Sequence, residues 1–130
     1  MLFVLLVSSA PALAEGPRVL VLGDSLSAAY NMATADGWVA LLEERLGPQA
    51  SVVNAAIGGD TTAGALARLP AALETHSPDI VIIALGGNDG LRGVALSEFR
   101  QNLLDMIAAS REAGAEVILA GVRLPSNYGS

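Results

Sequence analysis

The sequence predicts an α/β fold in which a parallel sheet carries helices on both faces. Three observations lead there. Apolar runs of strand length alternate with segments of helical periodicity, joined by short links, and such alternation builds parallel sheets. The runs are continuous rather than alternating apolar and polar, as in strands covered on both sides. Hydrophobic residues make up 52% of the 130 positions, enough to fill a core and too many for a disordered chain.

Taken in order, Arg18–Leu22 reads as the first strand. Asp36–Leu46 reads as a helix, with Trp38, Leu41, Leu42 and Leu46 at helical spacing and Gly47-Pro48 as its stop. Ser51–Ala55 is the second strand. Thr62–Thr75 is helical, with Pro70 expected to start a new turn. Ile80–Leu85 is the third strand. Ser97–Ala113 is the clearest helix: Ser97 suits its cap, Glu98 its first turn, and Gly114 its end. Glu116–Ala120 is the fourth strand. Ahead of these, Met1–Ala14 has the apolar core and the small-x-small Ala12-Leu13-Ala14 pattern of a signal peptide, without its positive n-region, the alternative being a buried N-terminal strand. The expected organisation is a leader, 1–14, followed by one domain, 15–130. The leader is too short to span a bilayer, which takes about 20 apolar residues. The expected destination is periplasmic or secreted.

Charge and cysteine count narrow the function. A net charge of −6 and a pI near 4.5 argue against a nucleic-acid partner, which would want a basic face. All seven cations are Arg. With no cysteine, disulfides, thiolate metal sites and a Cys nucleophile are excluded. No Gly-x-Gly-x-x-Gly comes after the first strand and no Gly-Lys-Ser/Thr occurs, so a nucleotide-phosphate cradle is not supported. Asp24, Asp60 and Asp89 lie just past the first three strands and could suggest a receiver-type magnesium site. That chemistry wants a Lys at a later strand end, and this chain has none.

The chemistry sits in the short segments at the strand ends. After the first strand comes Gly23-Asp24-Ser25, after the second Gly58-Gly59-Asp60-Thr61, after the third Gly86-Gly87-Asn88-Asp89-Gly90. In open α/β sheets, active residues gather at the carboxyl ends of the strands. Ser25, expected just before a helix, can present a hydroxyl at that edge; an N-cap serine would occupy the same place. Gly58-Gly59 lets the backbone approach a ligand, or simply turns. Asn88 can donate a carboxamide N–H to a developing oxyanion, or merely tolerate a loop conformation. The three together describe one site.

These residues resemble a known family. "GDSLS" (Gly23–Ser27), "NAAIGGDTT" (Asn54–Thr62) and "LGGNDGLRG" (Leu85–Gly93) are similar to blocks one to three of the SGNH, or GDSL, hydrolases. "RLPSNYG" (Arg123–Gly129) resembles the acyl-CoA thioesterase I, lysophospholipase and arylesterase subgroup, which is periplasmic. The resemblance implies a flavodoxin-like three-layer α/β/α sandwich with sheet order 2-1-3-4-5. It implies Ser25 as nucleophile. It implies an oxyanion hole from the Ser25 and Gly59 backbone N–H groups and the Asn88 amide. It also implies hydrolysis of aryl esters, acyl thioesters or lysophospholipids through an acyl-enzyme, without metal or cofactor. Position alone suggests that Arg123–Gly129 forms a loop touching the acyl chain.

A serine hydroxyl needs a base. The family supplies one from an Asp-x-x-His block, and none occurs before Ser130. The only histidine, His76, precedes the third strand and is expected to be an exposed helix end, roughly 20 Å from the active edge. The sequence is therefore expected to be a fragment, with its last strand and helix missing, and nearly inactive alone; losing a triad histidine costs about 10⁶ in kcat in subtilisin. Two rivals stand beside this reading. One is a carbohydrate acetylesterase of the same superfamily; the other is a non-catalytic acyl-binding module that has lost its base.

Overall fold

The alternating pattern folds into a four-stranded parallel sheet. The computed structural model describes residues 16–123. Its strands are β1 (Arg18–Gly23), β2 (Ser51–Asn54), β3 (Ile80–Ala84) and β4 (Glu116–Leu119). Its helices are α1 (Trp38–Leu46), α2 (Thr62–His76), α3 (Gly87–Leu91) and α4 (Leu96–Glu112). The order is β2-β1-β3-β4 with every pairing parallel, which agrees with the first four places of the expected order. Val21 of β1 faces Asn54 of β2 on one side and Ile82 of β3 on the other. The carboxyl ends of these three strands therefore reach one margin of the sheet, with β1 in the middle.

The layers arise from side-chain alternation along β1. Leu20 and Leu22, with Val81 and Ile83 of β3, pack under Ala65, Leu69 and Leu73 of α2 and Met106 of α4. Val19 and Val21, with Ile82, pack under Val39 of α1. Helices thus cover both faces, and β1 is buried on both, which explains its unbroken apolar run.

Several expected boundaries move, each for a local reason. The stretch before α1 is a separate 3-10 turn, Thr34–Asp36, and Gly37 is extended with ψ 149°, so the α-helix starts at Trp38 rather than Asp36. Pro70 does not start a new turn: α2 runs unbroken through it. A mid-helix proline costs about 3 kcal/mol. Burying Leu69 and Leu73 on either side of it returns about 1.5–3 kcal/mol each, so the helix persists. Ser97 does not cap α4. Ala95 holds the extended cap position, because the preceding Val94 N–H is drawn onto the Asp89 carbonyl (3.0 Å). Glu98 does lie in the first turn, and Gly114 closes the end with φ +87°. β3 stops at Ala84, and the Gly86–Gly90 stretch read as a loop supplies all but the last residue of the short helix α3. The leader, Met1–Ala14, and residues 124–130, which include all of the C-terminal motif but Arg123, lie outside the described residues. No helix among those described is long and apolar enough to cross a membrane.

Candidate active site

β1 delivers Ser25 to the sheet margin. The chain leaves the sheet at Asp24 and passes through successive turns rather than the helix expected there. The Ser27 and Ala28 N–H groups donate to the Asp24 carbonyl (3.1 and 2.9 Å), and the Tyr30 N–H to that of Ser25 (3.1 Å). A helix cannot propagate because Ala29 and Asn31 hold φ values of 58° and 60°. Asp24 is buried, and its Oδ1 accepts the Leu26 N–H (3.0 Å), a local turn-stabilising bond. Ser27, also buried, ties the turn to both neighbours. Its Oγ accepts from Trp38 Nε1 of α1 (3.1 Å), and its carbonyl from Asn54 Nδ2 of β2 (2.8 Å). Ser25 itself is half-buried. Among the described residues its Oγ has no hydrogen-bond partner.

Gly23 makes this turn possible. A Cβ there would lie 2.5 Å from both Cβ and Oγ of Ser27, closer than any real contact. Gly23→Ala is expected to force the Ser27 anchor aside and to destabilise by about 1–3 kcal/mol, the usual cost of overpacking. Thermal melting checks this; an unchanged Tm would show that the turn yields freely.

The second strand end is held against the first by the Ile57 N–H, which donates to the Gly23 carbonyl (3.0 Å). Gly59 adopts φ +79°, a conformation that L side chains rarely take, and it is exposed. Its carbonyl accepts from Arg92 Nη2 (3.0 Å). Asp60 receives Arg68 of α2, with Nη2 at 2.9 Å and Nε at 3.0 Å from Oδ2. The same guanidinium donates through Nη1 to the Ala55 carbonyl. Arg68 thereby clamps both ends of the loop that carries Gly58 and Gly59.

The third strand end places Asn88 in the first turn of α3. It is half-buried, and its Nδ2 donates to the Asp60 carbonyl (2.9 Å). The next residue, Asp89, is 3% exposed. Its Oδ1 accepts the Thr62 N–H (2.9 Å) and its Oδ2 the Thr62 hydroxyl (2.6 Å). Asn102 of α4 donates to the same Thr62 Oγ1 (3.1 Å).

Ser25, Gly59 and Asn88 thus stand just past three neighbouring strands, with the second strand end bonded to the first through Ile57 and Asn54 and to the third through Asn88. Beside them lies a concavity of about 250 Å³ lined by Leu26, Ser27, Trp38, Ala84, Ala120, Gly121 and Val122. His76 is elsewhere. It ends α2, just before Asp79, whose carboxylate accepts the Arg18 N–H (2.8 Å) at the opposite end of β1. Six residues of β1 separate that end from the Ser25 margin, about 20 Å at ~3.3 Å per residue. The side chain is half-buried rather than exposed as expected. Asp24, Asp60 and Asp89 are each engaged in separate hydrogen bonds. Among the described residues no group of three or more His, Cys, Asp or Glu gathers in metal-binding geometry.

The sequence points to Ser25, Gly59 and Asn88 but not to the residues that tie these strand ends together: Ser27, Arg68, Thr62 and Asn102. Thr62 opening a helix beneath a Gly-Gly turn was a readable signal. The Arg68 and Asn102 contacts depend on how α2 and α4 dock, which no local pattern encodes.

Comparison with known proteins agrees with this architecture. Residues 21–130 match the model of the GDSL-like Lipase/Acylhydrolase family. Esterase TesA of Pseudomonas aeruginosa is 53% identical over 119 residues, covering 89% of this chain and 59% of that protein. Thioesterase 1/protease 1/lysophospholipase L1 of Escherichia coli K12 is 46% identical over 128 residues, covering 98% of this chain and 61% of that protein. The psychrotrophic esterase EstA from Pseudoalteromonas sp., solved inhibited by monoethylphosphonate, superposes with a TM-score of 0.80 at 41% identity, covering 87% of this chain and 63% of that one. The chain thus spans about three fifths of the length of the curated relatives it matches. Sheet order, strand-end motifs and these similarities lead to one conclusion: the chain belongs to the GDSL-like lipase/acylhydrolase family.

Proposed function

We propose that the protein is a serine esterase and thioesterase that hydrolyses aryl esters, acyl thioesters and lysophospholipids through an acyl-enzyme at Ser25. The observation that carries this is Ser25 at the end of the central strand, its hydroxyl unengaged, flanked by the Gly59 loop and Asn88. Among the described residues neither the Ser25 nor the Gly59 N–H donates a hydrogen bond. A carboxamide has two N–H donors. One of Asn88's goes to Asp60, which leaves the other for a ligand. Names of relatives (an esterase, a thioesterase and lysophospholipase) support the substrate class.

Ser25 Oγ attacks the acyl carbonyl and gives its proton to a general base. The Ser25 and Gly59 N–H groups and the Asn88 amide receive the oxyanion, a term worth ~2.7–4 kcal/mol per donor. Collapse expels the alcohol or thiol with that proton. Water then adds to the acyl-enzyme, and the acid departs from a regenerated Ser25. His76 is too far from Ser25 to be the base, since hydrogen-bond reach is about 3 Å. The base in this mechanism is the histidine that the family resemblance implies in an Asp-x-x-His block. The Leu26, Trp38 and Val122 concavity suits an acyl chain. The leader pattern of Met1–Ala14 supports export to the periplasm or medium, with 15–130 in the hydrolase domain.

One preparation tests both parts. The full-length protein recovered from the periplasm or medium of its host is expected to begin at Glu15. Its aryl and thiol esters of one acyl group are expected to partition between water and added methanol in a single ratio, because they share an acyl-enzyme. Retention in the cytoplasm with Met1 in place counts against export. Two different ratios count against the common intermediate.

A further inference from the structure

We propose that Asp89 is a positioning residue for the oxyanion hole, acting through Asn88; this rests on the hydrolase reading above. The two adjacent residues reach across one seam to the same short stretch. Asn88 Nδ2 bonds the Asp60 carbonyl at 2.9 Å, and the Asp89 carboxylate takes both the N–H and the hydroxyl of Thr62 at 2.9 and 2.6 Å. Gly59 lies immediately before that stretch. Two of the three oxyanion donors, the Gly59 N–H and the Asn88 amide, therefore sit on opposite sides of a seam that Asp89 closes.

A capping role alone does not account for this carboxylate. The first turn of α2 already has its own cap, since Thr61 Oγ1 accepts the Gly64 N–H (3.2 Å). Burying a charge costs more than a second cap returns. What the carboxylate supplies is a pair of charge-assisted bonds, stronger and shorter than neutral ones. They join segments 27 residues apart. Asn102 holds the Thr62 hydroxyl from α4 (3.1 Å), and the Val94 N–H holds the Asp89 carbonyl from the other side (3.0 Å). Asp89 thus has little freedom, and Asn88, one residue earlier in the same short helix, inherits that fixity. Oxyanion donors act by being fixed in place before charge develops, and a displacement near 1 Å can cost about 10²-fold in rate.

The test uses the full-length protein and an aryl ester. Asp89→Ala is expected to lower kcat about 100-fold while KM stays within about threefold, since the seam governs placement and not ground-state binding. Asp89→Asn can still accept the Thr62 N–H and is expected to stay within about tenfold of wild type. Placed on Asn88→Ala, Asp89→Ala is expected to cost less than about threefold more, because the group it positions is gone. Full multiplication of the two losses would overturn the proposal, as would a lowered Tm with unchanged kcat of the folded protein. Should Asp89→Ala not fold, Thr62→Val removes the hydroxyl's bond to Asp89, together with the one it accepts from Asn102, and keeps the N–H. It is expected to lose about tenfold in kcat, again non-additively with Asn88→Ala; no loss would equally overturn it. A wild-type protein without turnover would instead refute the hydrolase reading.

Discussion

Replacing Ser25 by Ala in the full-length protein is expected to lower kcat for an aryl ester by about 10⁶, the loss seen when the serine of a comparable triad is removed. Stability is expected to change by less than about 0.5 kcal/mol, as for a substitution that removes no buried partner. Ser25 is half-buried, and its hydroxyl bonds nothing among the described residues. The turn is held instead by Ser27, by Asp24 and by the backbone. A large loss of rate with no loss of Tm therefore separates chemistry from architecture at this position. The kinetics are read from steady-state turnover, the stability from thermal melting. A residual rate within tenfold of wild type would mean that another group attacks the ester.

The second large effect is at Asn88. Asn88→Ala is expected to cost about 10²–10³ in kcat with KM little changed, the signature of a donor that acts only as the oxyanion forms. It also removes the bond to the Asp60 carbonyl, so a stability loss of about 1 kcal/mol should accompany it. Asn88→Asp sharpens the comparison. It keeps the size but turns a donor into an anion facing the developing oxyanion, so its kcat is expected to fall at least as far. Equal activity of Asn88→Asp and wild type in a steady-state assay would remove Asn88 from the mechanism.

The fold was legible because the hydrophobic pattern changes period between strands and helices. The Arg18–Leu22 run reads as a buried strand, and β1 is one, covered on both faces. Boundaries failed where a tertiary contact outweighed a local preference. Pro70 suggests the start of a new turn, but α2 runs through it, with Leu69 and Leu73 held in the core. Ser97 should have capped α4, but the Asp89 carbonyl captures the Val94 N–H and brings the helix in early. The candidate site was legible as glycines and small polar residues after successive strands, which points to Ser25, Gly59 and Asn88 as candidates. Their supports were not. Asp89 sits in the Leu85–Gly93 motif, yet its bonds to Thr62 join residues 27 apart, a proximity that no local pattern encodes. The sequence names no partner for the Ser25 hydroxyl: its one histidine, His76, lies at the opposite end of β1.

The most direct test of Ser25 as nucleophile is covalent. Full-length protein would be treated with a fluorophosphonate, digested, and the modified peptide sequenced by mass spectrometry. A single phosphonyl adduct is expected on Ser25, and none on the Ser25→Ala variant. A folded wild-type protein that takes no label, or that takes it on a different residue, would contradict an activated serine at this strand end.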